Sequence, residues 1–188
     1  MDEMVKAAMA KWPQVPACYG WLGLDARGTW YMRDDRTQAA GPFAPEPGQT
    51  MRAAKGSALQ HDKLIAFIHR NYLPDDQGRW FFQNGPQRVF VELELTPLIW
   101  RLQPDGHIQA HTGVDAGAVQ RCLLDEAGRL YLQTARGLGL VHTADMDSAA
   151  DRVEHGEWVP EEIRSEDLER LGGFIRSPLQ VQQPRSPA

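Results

Sequence analysis

Glu92 and Glu94 alternate with Val91, Leu93 and Leu95. On a strand that spacing places both carboxylates on one face, about 6–7 Å apart. Paired acids at such a distance can serve glycosidic chemistry, so a hydrolase of sugars or esters with Glu92 or Glu94 as acid or base is one functional reading. A catalytic carboxyl also needs burial to raise its pKa. The competing reading is a solvent-facing stripe neutralised by Arg88 or Arg101.

Other chemistries are weaker. His61 precedes Leu64, Ile65 and Ile68 on an apolar helical stripe and His69 follows two turns later, too far apart to grip one metal, so both read as core or boundary residues. His107 and His111 are separated by more strand than a metal shell spans, and no metal site or cofactor is expected. Cys18 and Cys122 have no paired or catalytic spacing and read as buried, reduced thiols. Ser57 is read as a helix cap. Gly137-Leu-Gly139 lacks the third glycine of a dinucleotide fingerprint, which leaves a turn or a close backbone approach.

Six tryptophans remain. Trp21, Trp30, Trp80 and Trp100 fall in or beside strand-like segments, where large rings anchor a core or line a groove. Were Trp80, Phe82 and Trp100 to share an exposed face with Glu92, Glu94 and Arg101, the sheet would suit a flat small molecule or a peptide. These six form the candidate ligand-binding set.

Four corners must position such a face: Asp25-Ala-Arg-Gly28-Thr-Trp30-Tyr31, Asp75-Asp-Gln-Gly78-Arg-Trp80-Phe81, Asp105-Gly106-His107-Ile108 and Asp125-Glu-Ala-Gly128-Arg-Leu130-Tyr131. Aspartate bonds its own backbone two residues on and glycine supplies positive φ, so each copy reads as a hairpin corner. The corner resembles the aspartate box of β-propeller and carbohydrate-active proteins, where it is structural. Too few copies, unevenly spaced, exclude a propeller. Duplication or repeated use of one turn solution would each produce the pattern.

Around the corners, Val5, Ala8, Met9 and Trp12 predict a short helix ended by Pro13, lying over an edge of the first sheet. Tyr19 to Leu24 and Thr29 to Arg33 predict a hairpin, and residues 34–55, with Pro42, Pro45 and Pro47, an irregular mobile loop. Ser57-Ala-Leu-Gln60 has the form of a capping box opening a helix over 57–72. Strands are expected over 79–83, 87–95, 98–102, 107–111, 119–124 and 129–134, with Val141 closing a last one. Helices follow around Met146 to Val153 and from Pro160, and residues 177–188 are expected to be disordered.

The segments Trp21-Leu-Gly-Leu-Asp-Ala-Arg-Gly-Thr-Trp-Tyr31, His61-Asp-Lys-Leu-Ile-Ala-Phe-Ile68 and Asn84-Gly-Pro-Gln-Arg-Val-Phe-Val-Glu92 resemble an uncharacterised family of β- and related proteobacterial proteins of unknown function, over about residues 4–146. The chain is more faintly similar to a second unknown-function family of two β-rich repeats with a suggested signalling role. The resemblance implies a bacterial β-rich protein and carries no catalytic residue over.

The expected architecture is α+β: mainly antiparallel, bent sheets in two related lobes with a packed amphipathic helix. Residues 1–73 would form the N-terminal lobe, 74–146 a β-meander lobe, 147–176 C-terminal helices and 177–188 a tail. With 42% hydrophobic and 24% charged residues in 188, the composition is that of a soluble globular chain. A net charge of −5 disfavours the electrostatics of nucleic-acid binding. No signal peptide or membrane span is legible, so a cytoplasmic location is expected. The leading functional expectation is a non-enzymatic ligand-binding or regulatory module, in signalling, taking a small molecule or peptide in a crease between lobes. A structural subunit forming a homodimer is the third reading.

Overall fold

The computed structural model describes residues 1–45 and 52–182. The chain divides into two compact units, one of Met1–Asp25, Thr29–Glu94 and Phe174–Ala188, the other of Ala26–Gly28 and Leu95–Gly173. They part at Glu94 rather than at the expected 73/74, because the strand at Tyr72–Pro74 pairs with Trp80–Asn84 inside the first unit.

The first unit holds a six-stranded sheet built from β1 (Cys18–Leu24), β2 (Trp30–Met32), β3 (Ser57–Ala58), β4 (Tyr72–Pro74), β5 (Trp80–Asn84) and β6 (Gln87–Leu93), in the order β3-β2-β1-β6-β5-β4. The second unit's sheet comprises β7 (Leu98–Leu102), β8 (Ile108–Ala110), β9 (Val119–Asp125), β10 (Leu130–Thr134), β11 (Gly137–Val141) and β12 (Pro160–Ile163), in the order β12-β9-β10-β11-β7-β8. Sequential neighbours pair antiparallel as expected, but both sheets are mixed. β6 runs parallel to β1, β11 parallel to β7, and β12 parallel to β9.

The two sheets share one plan: a hairpin, then a three-strand meander whose last strand returns parallel to the first strand of the hairpin. Registers also agree. Leu22 pairs with Val91 and Phe82 with Val89 in the first unit; Trp100 pairs with Val141 and Leu132 with Gly139 at the same places in the second. Hairpin positions are thus related by 78 residues (22 to 100) and meander positions by 50 (82 to 132).

The four corners sit at matching joints of this plan. Asp25 Oδ1 accepts from the Thr29 N–H at 2.8 Å, Asp75 Oδ1 from Arg79 at 2.9 Å and Asp125 Oδ1 from Arg129 at 2.9 Å. The glycines at 28, 78, 106 and 128 have φ of +80, +76, +86 and +74. In the third corner Gln103 occupies the place of the aspartate, and Asp105 instead accepts from the His107 N–H at 3.0 Å.

α1 (Glu3–Lys11) buries only Val5 and is tied by the Asp2 N–H to Asn71 Oδ1 at 2.9 Å, next to edge strand β4. The expected long loop contains a helix, α2 (Asp35–Ala40), because Asp34 caps it through the Thr37 N–H at 2.8 Å. Buried Arg33 fixes the chain that follows, donating to the carbonyls of Gly41 at 2.6 Å and Ala54 at 2.9 Å. Part of that expected loop, 46–51, lies outside the described residues.

The main helix, α3 (Asp62–Arg70), starts later than the capping box suggested. Ser57 and Ala58 are held as strand by Met32 and Tyr31, so the cap passes to His61, whose Nδ1 accepts from the Leu64 N–H at 3.2 Å. His61 is therefore an exposed cap rather than a core residue. α4 (Met146–Glu154) forms as expected. Pro160 opens strand β12, not a helix: the ring suits the first residue of an edge strand, and Glu161 pairs with Arg121 across to β9 at 2.6 Å. The chain then forms α5 (Leu168–Gly172), and Pro178, expected in a disordered tail, is buried at the start of α6 (Pro178–Gln182). Residues 183–188 lie outside the described residues. Among the described residues no helix is long and apolar enough to cross a membrane.

Candidate functional site

The six residues singled out from sequence do not form one exposed face. Trp80 and Phe82 project from β5 into the core beneath α3, where Trp80 lies 4.7 Å from Tyr72 and Phe82 meets Phe67 edge-on at 5.4 Å. Trp100 is 0% exposed and Arg101 is paired with Asp145 at 2.6 Å in the second unit. The correction has one cause. Rings on alternate residues of a covered sheet turn to the covered side, where burying them contributes most.

The carboxylates also have structural partners. Glu92 is 4% exposed and accepts hydrogen bonds from the Ser177 hydroxyl and the Leu179 N–H, fastening the C-terminal segment to β6. Burial raises its pKa, opposed by those hydrogen bonds and by the charge of Arg33. Glu94 lies beyond β6, 2.8 Å from Lys55. The two acids therefore do different jobs, and neither lines a cavity described below.

The first unit does contain an apolar pocket, of 290 Å³. Leu22 on β1, Phe82 on β5 and Val89 on β6 line it from the sheet, and Leu64 and Ile68 on α3 line it with Leu59. Cys18, Trp21, Met32, Asn84 and Gln87 complete the lining, of which Trp21 is 41% and Met32 50% exposed. Every lining residue is uncharged, and the side-chain hydrogen-bonding groups are the two amides, the Trp21 indole N–H and the Cys18 thiol. Such a surface takes apolar ligands and orients them with few polar contacts.

Trp21 reaches the rim through an irregularity in β1. Two extra residues are inserted between the Cys18–Val89 and Leu22–Val91 pairs, and Gly20 inside the insertion has φ +76. A Cβ at Gly20 would collide with the Gln38 side chain, so both the conformation and the space require glycine. Beneath the same helix, Trp30 donates its indole N–H to His69 Nε2 at 3.0 Å, and burial lowers the His69 pKa.

The second unit has two polar cavities. One, of 710 Å³, is lined by Glu126, Glu162, Arg164, Asp167 and Arg170 among others; Glu126 accepts from Ser165, which holds its carboxyl down at about 2, and Asp167 pairs with Arg170 at 2.7 Å. The other, of 350 Å³, contains the His107–Asp115 pair at 2.7 Å and the Arg152–Glu157 pair at 3.3 Å. Part of this charge is neutralised within the chain, by Arg170 on Asp167 and by Arg152 on Glu157. Among the described residues no group of three or more His, Cys, Asp and Glu could hold a metal ion. Cys122 is buried and its thiol is pushed up to about 11, chiefly by desolvation, which makes it inert.

A family model described as "Protein of unknown function (DUF2946)" matches residues 1–179. The chain belongs to the DUF2946 family. The match runs well beyond the 4–146 expected from sequence and includes the strand β12 and the segment that Glu92 anchors. No curated protein matches this DUF2946 chain. Among solved structures it is similar to a DUF1285 family protein from Silicibacter pomeroyi DSS-3, at 14% identity and a TM-score of 0.46, covering 80% of this chain and 84% of that one.

In this DUF2946 chain, the sequence named Phe82 as a strand aromatic and Trp21 as a core or groove tryptophan, but Trp21 stood outside the candidate set and Met32 and Asn84 were not singled out as pocket residues. One signal was present. Gly20 inside a strand pattern marks a bulge, and a bulge re-aims the side chain beside it.

Proposed function

We propose that this protein is a non-enzymatic ligand-binding module that receives a small apolar molecule in the pocket of its first unit, and that occupancy of the pocket is its regulatory signal. The observation that carries this is the uncharged 290 Å³ concavity rimmed by half-exposed Trp21 and Met32. Exposed apolar surface of this kind is costly in water, and it falls at the lower end of the sizes that hold small ligands. A regulatory role in bacterial signalling fits a site whose lining carries no charge and no paired acid and base.

The hydrolase reading is disfavoured by the partners of Glu92. Glu92 is 4% exposed, its oxygens accept from Ser177 and Leu179, and it lines none of the cavities described above, so nothing brings a substrate within proton-transfer distance. A melting-temperature screen against organic extracts of bacterial cells tests the binding reading. A fraction that raises the melting temperature of the wild type with increasing dose, and does so much less for Trp21→Ala, supports it. Extracts that leave the wild type unmoved at every dose would remove its support.

A further inference from the structure

The apolar pocket of the first unit has a neighbour of opposite character. A second cavity, of 180 Å³, is lined by Trp21, Met32, Arg33, Asp34, Thr37 and Ser57. Trp21 and Met32 also line the apolar pocket, so the two cavities adjoin at one half-exposed rim. Resting on the pocket reading above, we infer that the ligand is a primary amine with a small apolar body. The body fills the apolar pocket, and the ammonium reaches past Trp21 and Met32 to the carboxylate of Asp34.

The chain brings these walls together over a few residues. Met32 ends β2 and Asp34 caps α2, with Arg33 alone between them. Ser57 is held beside Met32 by the pairing of β2 with β3. Arg33 turns inward: it is 2% exposed and donates from Nε, Nη1 and Nη2 to the carbonyls of Ala54 at 2.9 Å, Gly20 at 3.1 Å and Gly41 at 2.6 Å. Its charge is further met by Glu92. The charge presented at the opening is therefore that of exposed Asp34.

Asp34 Oδ1 accepts from the Thr37 N–H at 2.8 Å and from the Thr37 hydroxyl at 2.6 Å, which leaves Oδ2 for a donor from outside. Those bonds, the hydroxyl's first, hold the carboxyl below its usual range, so it is ionised at neutral pH. Arg36 assists weakly and lies outside the lining of both cavities. An ammonium has three donors, and the hydroxyl oxygens of Thr37 and Ser57 are further acceptors for it. The face of Trp21 attracts a cation passing over the rim. A neutral head would gain a weaker, uncharged hydrogen bond, and an anionic head would meet a like charge.

The test is a calorimetric and amide-NMR titration of the full chain with hexylamine, hexanol and hexanoate, which share one apolar body, and with methylamine, which lacks it. Hexylamine is expected to saturate the amide shifts of Leu22 and Val89 in the apolar pocket and of Met32 and Thr37 beside it. Hexanol should bind about 3- to 10-fold more weakly, the difference between a charged and a neutral hydrogen bond, and hexanoate more weakly still. Methylamine should not saturate over the same range. Added salt should weaken hexylamine and spare hexanol. Asp34→Asn keeps a capping side chain and removes the charge, so in that variant hexylamine and hexanol should bind about equally. Should the variant not fold, the wild-type ranking and its salt dependence decide. Hexanol or hexanoate binding as tightly as hexylamine would overturn the amine and leave the pocket reading standing. A preference for hexylamine undiminished in Asp34→Asn would overturn Asp34 as its partner. No saturable shift at Leu22 and Val89 with any six-carbon probe would overturn both readings.

Discussion

Asp125 accepts the phenolic O–H of Tyr131 at 2.8 Å, and Asp25 accepts that of Tyr31, also six residues on, at 3.3 Å. The aspartates of these two corners therefore do more than shape a turn. Each also ties down the second residue of the next strand. At the Asp75 corner Phe81 stands in the tyrosine position, and Arg79 closes on Asp75 through its Nε at 2.8 Å, as Arg129 does on Asp125 at 2.7 Å.

Asp125 is buried and accepts from two backbone N–H groups as well as from Arg129 and Tyr131. Asp125→Ala is expected to cost about 2–4 kcal/mol, because several buried donors lose their acceptor at once. Asp105→Ala removes one exposed bond and should cost under about 1 kcal/mol. Urea unfolding of both variants checks the difference. Equal losses would contradict the unequal burial of the two corners.

The contact of Trp100 with Gly139 in the second unit gives a paired expectation. Trp100→Ala leaves a cavity and removes the indole hydrogen bond to the Leu132 carbonyl, for about 3–5 kcal/mol of destabilisation. Gly139→Ala pushes a methyl into the indole and the Leu98 carbonyl, for about 1–3 kcal/mol. In the double variant the two losses should fall short of their sum, since truncating the ring removes the collision. Thermal unfolding of the three proteins measures this, and strict additivity would contradict the contact.

His69 sets a pH dependence. Its Nε2 accepts from Trp30, so the native ring is neutral, and burial holds its pKa below the ordinary value near 6.5. Below pH ~6.5 the unfolded chain takes up a proton that the native one refuses, so stability should fall as pH drops from there toward the depressed native pKa. His69→Gln should flatten that part of the stability curve. An unchanged slope would assign the pH dependence to other groups.

Glu92 anchors the C-terminal segment, and Glu92→Ala should free Ser177 to Gln182 while leaving the sheet intact. Hydrogen exchange at the Leu179 amide is expected to accelerate by at least about tenfold, as loss of a charge-assisted hydrogen bond implies. Protection as strong as in the wild type would show that α6 is held by packing alone.

How much of this was legible in the sequence follows from the range of each interaction. The corners, the hairpins and α4 are decided within a few residues, by an aspartate that bonds its own backbone and a glycine at positive φ, and they are read from the chain directly. The parallel pairings of β1 with β6 and β7 with β11 join strands far apart in sequence, and no local pattern announces them. Ser57 satisfied a capping pattern, yet pairing with Met32 held it in a strand, and the strand nature of Pro160 to Ile163 depended on β9 being alongside. At the site, the aromatic residues on β5 were legible as aromatic but not as buried, since burial depended on α3 covering that face. Trp21 was hidden by a bulge that only the Cys18–Val89 and Leu22–Val91 pairs reveal.

The most direct test of the ligand pocket is native mass spectrometry of freshly purified wild-type protein beside the Trp21→Ala variant, with circular dichroism to confirm that the variant is folded. The expected result is a fraction of wild-type molecules carrying an added small mass, released on gentle activation and much reduced in the folded variant. A wild type that flies only as the bare chain even when supplemented with cell extract, or an added mass retained equally by the variant, would contradict a ligand site between α3 and the sheet.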